Sequence, residues 1–299
     1  MRVDPNYVIN LAAAVGQSSS AEATLTGELS SGLRVSSLQD DPVAVAQSAL
    51  LGSAIAKADS YVQTASGESS LLQVSDTTLG EVVKQLTSAL TLAVQGSNGT
   101  MNAANVATVT QQLSGIRDQV LSLANTSYQG QYLFGGSQGS VKPFTLDTST
   151  TPATTTYNGD TKLQHVETPS GQKIQVNLPG SDVFGGTGSG TFGALNQLIA
   201  DFSSGAASTT MTADTAALTT ALAQVSNQRS ILDSSLSRVQ STSLYTQTQE
   251  AQLRVQQSGL VVADTAMVAT QLSSAETQHQ ALLSVMSAVQ KVNLFDYLH

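Results

Sequence analysis

Two glycine-rich stretches of this chain carry the spacing of known chemistry. Gly135–Gly139 reads GGSQG and satisfies G-x-S-x-G, in which a sharp strand-to-helix turn exposes a nucleophilic serine, here Ser137. The following SVKPF puts Pro143 where that helix would have to run, and no triad partner order is apparent. Gly188, Gly190 and Gly193 satisfy G-x-G-x-x-G, which lets a backbone approach a pyrophosphate at the start of a helix. ALNQLIADF supplies the helix, but Ala194 to Val239 reads as helix and loop, with no second strand for a βαβ unit. Both stretches read as turns or linkers.

The other chemistry-bearing residues are dispersed. His165, His279 and His299 share no metal-ligand spacing, and cysteine is absent, which excludes disulfides and thiolate metal sites. Asp40 and Asp41 are the notable adjacent acids, and their position has a simpler cause than acid–base work. Asn98-Gly99-Thr100 and Asn125-Thr126-Ser127 fit the glycosylation sequon, a common chance pattern. The expectation is no catalytic residue, no cofactor and no metal: this is not an enzyme.

Composition points the same way. Only 11% of the 299 residues are charged and 4% aromatic, with no tryptophan. Aromatic rings dominate tight cores, so small side chains suit helices packed side by side or a surface buried later. The net charge is −9, and the 12 Lys and Arg are scattered from Arg2 to Lys291 without a basic run. Neither nucleic acid nor an anionic membrane surface is an expected partner. No apolar stretch approaches a membrane span. Val8–Gly16 looks like a signal-peptide core, but one Arg and one Asp precede it, so no cleaved signal is expected.

The elements that would position such residues are helices. Steps of four and three from Leu51 give Leu51, Ile55, Ala58, Val62, Ala65, Ser69, Leu72, Asp76, Leu79, Val83, Leu86, Leu90 and Ala93. This is coiled-coil spacing on one face, and a helix of roughly 50 residues would be about 75 Å long. After a turn at Gln95–Thr100, a second stripe runs Val106, Val109, Leu113, Ile116, Val120 and Leu123. A third runs Leu218, Leu222, Val225, Arg229, Leu232, Leu236 and Val239, continuing through Leu253, Leu260 and Met267. The ends carry Val8, Leu11, Val15, Ser18, Glu22, Leu25 and Leu29, and Leu272, Ala275, His279, Leu282, Met286 and Val289.

Between about Tyr132 and Gly205 the character changes. Lys173–Leu178 alternates as a strand does, and Pro-Ser-Gly before it marks a hairpin turn. The fold class is mainly α with an inserted β-rich domain: a long antiparallel helical rod or coiled coil, its terminal helices paired. The expected divisions are 1–34, 35–131, 132–205 for the β-rich insert, 206–255 for the return of the rod, and 256–299.

One short stretch, ELSSGLRVSSLQDDPVAVAQ (Glu28–Gln47), interrupts the helical pattern. Gly32 can close the first helix in a left-handed conformation. Asp41 can cap the next, Pro42 suits its first position, and Asp40 adds charge at the positive end of the helix dipole. It reads as a joint between two helices.

That joint carries a resemblance. LSSGLRVSSLQDDPVAVAQ resembles the N-terminal signature of flagellins and of the flagellar hook–filament junction (third hook-associated) proteins. Flagellins usually continue Asp-Asp-Ala-Ala-Gly; the Asp-Asp-Pro-Val-Ala form is similar to the junction family, as are the opening Met-Arg-Val, YQGQYLFGGSQGSVKPF (Tyr128–Phe144), YNGD (Tyr157–Asp160), GSDVF (Gly180–Phe184) and the ending NLFDYL (Asn293–Leu298). Leu33 stands where Lys is common, and Ser36-Ser37-Leu38 replaces Asn-Ser-Pro. The resemblance implies a flagellin-like structural adaptor joining hook to filament; the alternative is flagellin forming the filament itself. It implies export by the flagellar type III system without a cleaved signal, and an extracellular place in the flagellum. Implied partners are further copies in a ring or helical array, the other hook-associated junction protein, flagellin and an export chaperone. Leu11, Val15, Leu25, Leu29, Leu272, Ala275, Leu282, Met286 and Val289 are the expected subunit interface. Gly32, Arg34, Asp40, Asp41 and Pro42 are the expected inter-helix joint.

Overall fold

The computed structural model describes residues 5–97, 101–205 and 208–295. Seven helices and six short strands follow in the order α1 (Pro5–Ser31), α2 (Pro42–Ser97), α3 (Ala103–Ala124), β1 (Ser127–Tyr128), β2 (Gln131–Tyr132), β3 (Phe144–Asp147), β4 (Thr154–Tyr157), β5 (His165–Glu167), β6 (Lys173–Gln175), α4 (Gly180–Phe184), α5 (Gly190–Ser204), α6 (Ser208–Val261) and α7 (Thr265–Phe295). The chain forms two compact units, one of residues 57–248 and one of 1–56 with 249–299.

In the first unit the four-and-three pattern resolves into a strict repeat of seven. Ala58, Ala65, Leu72, Leu79, Leu86 and Ala93 of α2 are buried, while the intervening Val62, Ser69, Asp76, Val83 and Leu90 are half-buried. On α6 the buried series is Met211, Leu218, Val225, Leu232, Val239 and Thr246, again seven apart. A sustained period of seven keeps one seam turned toward its partner, as in coiled coils. Leu113 and Val120 of α3 join the same apolar cluster.

The few aromatic residues are concentrated in the insert. Phe144 of β3, Phe184 of α4 and Phe192 of α5 are buried with Phe134, and their ring centroids lie 5.1–5.7 Å apart. Edge-on and tilted pairs of this kind add to burial because ring edges are positive and faces negative. The β structure is three separate antiparallel hairpins, β1–β2, β3–β4 and β5–β6. The turn between β1 and β2 has positive φ at both Gln129 and Gly130, the twist that suits a two-residue hairpin. Around Pro-Ser-Gly, the Thr168 N–H donates to the Gln172 carbonyl, closing the expected β5–β6 turn.

Candidate assembly surface

In the second unit α1 packs along α7. The half-buried positions of α7 are Leu272, Ala275, His279, Leu282, Met286 and Val289, every member of the expected stripe. On α1, Leu11 is buried and Val8, Val15, Ser18, Glu22 and Leu25 are half-buried. The seam thus engages residues expected at a subunit interface within the chain itself. Leu29 differs: it is 39% exposed, and Glu28 holds the half-buried position before it. The face follows a three-residue step from Leu25 to Glu28 where the strict count takes four, and so leaves Leu29 outside it. Met267 is likewise exposed, at 55%, and Val268 is the buried residue, because α6 ends at Val261 and α7 starts afresh at Thr265 without continuing its phase.

The joint is built from backbone and carboxylates. Gly32 has φ +69° and donates its N–H to the Glu28 carbonyl, ending α1 in the left-handed region. Asp41 Oδ1 accepts from the Val43 and Ala44 N–H groups at 3.1 and 3.0 Å, so it caps α2, with Pro42 in the first helical position. Asp40 does different work from the expected dipole contact. Its Oδ2 accepts from the Ser36 and Ser37 N–H groups and the Ser36 hydroxyl, at 2.7–3.0 Å. These bonds, the Ser36 N–H first, hold its carboxyl below the usual range. Short polar residues in an irregular loop offer donors nearer than the helix end does.

Sequence reading left out a second break facing this joint. α6 ends at Val261 and α7 begins at Thr265, where Asp264 Oδ1 accepts from the Ala266 and Met267 N–H groups at 3.1 Å. The two breaks are stitched together. The Arg34 N–H donates to the Val261 carbonyl at 2.8 Å, Arg34 Nη2 to the Leu260 carbonyl at 2.8 Å, and the Ala263 N–H to the Gly32 carbonyl at 3.0 Å. Leu33 and Val262 form an antiparallel bridge. Arg34 Nη1 also lies 3.7 Å from Asp41 Oδ2, so one guanidinium touches both breaks. The available signal was Asp264-Thr265, a capping residue within an otherwise helical run.

Outer faces of this unit expose apolar side chains: Ile9 65%, Val43 65%, Leu50 73%, Val255 71%, Leu283 45% and Val285 42%. Solitary exposed apolar residues are ordinary. Here they recur on all four helices of a unit whose inner seam is only half closed.

The chemistry-like stretches take structural roles. Ser137 Oγ donates to Asp160 Oδ2 at 2.5 Å and its N–H to Oδ1 at 2.7 Å, while the Lys162 N–H also reaches Oδ1. The Ser137 hydroxyl, first among these, draws the Asp160 carboxyl below its ordinary value. The carboxylate that accepts the Ser137 hydroxyl is held below its ordinary value, which makes it a weak base for activating that oxygen. Gly188, Gly190 and Gly193 do lead into α5, yet the buried Asp214 lines the same groove, and a carboxylate there opposes a phosphate. Asn125 is committed to the Phe144 backbone in both directions, at 2.9 and 3.0 Å. The other sequon, Asn98–Thr100, lies outside the described residues, as do His299 and the last residues of NLFDYL. His165 is exposed and His279 half-buried, and no group of three or more His, Cys, Asp or Glu suited to a metal occurs among the described residues.

The comparisons address this architecture directly. The bacterial flagellin N-terminal helical region matches residues 6–139, and the bacterial flagellin C-terminal helical region matches residues 215–298. The chain belongs to the flagellin family. Within reach of that family it is similar to flagellar hook-associated protein 3 of Salmonella typhimurium, 30% identical over 168 residues, and of Escherichia coli, 30% identical over 179 residues. These alignments take in 56% and 59% of this chain, and the chain spans about half the length of the relatives it matches, 51% and 52%. Among solved structures, a flagellar hook-associated protein from Vibrio parahaemolyticus aligns with a TM-score of 0.66 and 18% identity, over 75% of this chain and all of its own. FlgL of Xanthomonas campestris aligns at 0.59 and 16%, over 69% and 98%. At these identities the likeness is one of fold.

Proposed function

We propose that this flagellin-family chain is a structural subunit of the bacterial flagellum that joins the hook to the filament. The observation that carries this reading is the α1–α7 pair: a half-closed seam with apolar residues on its outer faces, built from the terminal regions that match flagellin. Such a pair gains burial by packing against neighbours. Leu11, Val15, Leu25, Leu272, Ala275, Leu282, Met286 and Val289 hold the two helices together, and Leu29 with Ile9, Leu283 and Val285 extends the surface to adjacent subunits. The contacts are of unlike patches, which generate rings or open helical arrays. The partners on this reading are further copies, the other hook-associated junction protein, flagellin and an export chaperone. Export through the flagellar type III system, without a cleaved signal, delivers it to the extracellular end of the hook.

The relatives by name favour a junction over a filament role, since both are hook-associated proteins. Deletion of the gene separates the two. Loss of filaments with flagellin released as monomers is the expected outcome. Filaments that still grow attached to the hook would overturn the proposal.

A further inference from the structure

We propose that the buried Asp214 carboxyl, set beside Asp201, takes up a proton in mild acid and then fastens the start of α6 to α5 more tightly than at neutral pH. The inference is independent of the flagellar role.

Asp214, two turns into α6, is only 7% exposed. Its Oδ2 is closed to water and receives no hydrogen bond. An ionised carboxylate buried without a donor is costly. The charged group bearing on it is a second acid, Asp201 in the last turn of α5, which acts through both a hydrogen bond and its charge. Asp201 Oδ2 accepts from Gln197 Nε2 at 2.8 Å, so the amide that could serve the pair is already turned to one member. Two ionised carboxylates are acceptors only, and cannot satisfy each other until one holds a proton.

Among the described residues lining the Asp214 groove there is no cation. Asp214 lines a groove of about 420 Å³ with Gly190, Gly193, Gln197, Thr220 and Gln224, none of them charged. Gln224 Nε2 donates to the Asp182 carbonyl at 2.7 Å. Burial first, then the hydrogen bond and charge of Asp201, push the Asp214 carboxyl up to about 6. An acid whose folded pKa lies above its unfolded 3.8 binds its proton more tightly in the folded chain. Stability from this pair therefore rises as pH falls through about 6 and levels off below 3.8.

The test is a carbon-13 carboxyl titration of the full chain, with thermal unfolding of wild type, Asp214→Asn and Asp201→Asn at pH 7.5 and 5.0. Asp214 is expected to titrate near 6, and in Asp201→Asn to titrate lower. Asp214→Asn is expected to raise Tm at pH 7.5 by about 3 °C and to lose most of the gain that wild type shows at pH 5.0. Titration of Asp214 near 3.8 in wild type would overturn the proposal. So would stabilisation of wild type, but not of either variant, by millimolar calcium or magnesium at pH 7.5, which would make the pair a cation site.

Discussion

Arg229 of α6 donates from Nε to Asp76 Oδ1 at 2.6 Å and from Nη2 to Oδ2 at 3.2 Å, joining two helices of one seam across 153 residues of chain. Both residues interrupt otherwise apolar stripes, and they interrupt them at the same level. A charge in an apolar seam fits only opposite its counterpart, so the pair sets the register of α2 against α6. The Arg229 fork, above all its hydrogen bond, holds the Asp76 carboxyl below its ordinary value. Asp233 beside it is raised, by burial first and then by the Asp76 charge.

Arg229→Ala leaves Asp76 and Asp233 facing each other with no cation between them. Because the pair is partly open to water, the expected cost is about 1–2 kcal/mol, lowering Tm by roughly 3–6 °C at neutral pH. The contribution of Asp76 is complete above its unfolded 3.8 and lost as pH falls through its lower folded value. The gap between wild type and variant therefore narrows in strong acid. Thermal melts between pH 2 and 7 check both the size and the sign, and Arg229→Lys recovers only part because it keeps the charge and loses the fork.

At the joint, Asp41→Ala removes the cap of α2 and is expected to cost about 1 kcal/mol. Gly32→Ala forces a side chain into φ +69° and costs a similar amount, about 1 kcal/mol. Each change acts locally. Hydrogen exchange is expected to speed up at the first turns of α2 in Asp41→Ala and at the last turn of α1 in Gly32→Ala, with the 57–248 unit unchanged.

The insert variants separate packing from chemistry. A Cβ at Gly136, where φ is +72°, would collide with the backbone and carboxylate of Asp160. Gly136→Ala and Phe184→Ala are therefore both strongly destabilising, the second by about 3–5 kcal/mol. Ser137→Ala loses only the hydroxyl bond to Asp160 and keeps the backbone one, so motility is expected to persist with a small fall in Tm. Loss of motility with normal assembly would point to chemistry at Ser137.

Removing α1 strips the seam from α7. The 57–248 unit has its own apolar cluster and is expected to keep its circular dichroism and cooperative melting, while incorporation into the flagellum is lost.

What could be read from sequence follows the range of the forces involved. The seven-residue seams of α2 and α6, the Asp41 cap and the Gly32 stop are all local patterns, each set by residues close together in the chain. The ring cluster was not readable, because Phe134, Phe144, Phe184 and Phe192 share no spacing and meet only through the fold of the insert. Tyr157 shows what the junction-type stretches do together: its hydroxyl lies 2.8 Å from the Asp160 carbonyl and 3.1 Å from the Phe134 carbonyl, and accepts from the Gly180 N–H. YLFGG, YNGD and GSDVF are thus parts of one packed site. Pairings such as Arg34 with Leu260 depend on where two distant breaks come together, which neither segment encodes alone.

The most direct test of the proposed role is the position of the protein in an isolated flagellum. Gold-labelled antibody against the 57–248 unit is predicted to mark a single short zone between hook and filament. Label along the length of the filament would contradict the junction role.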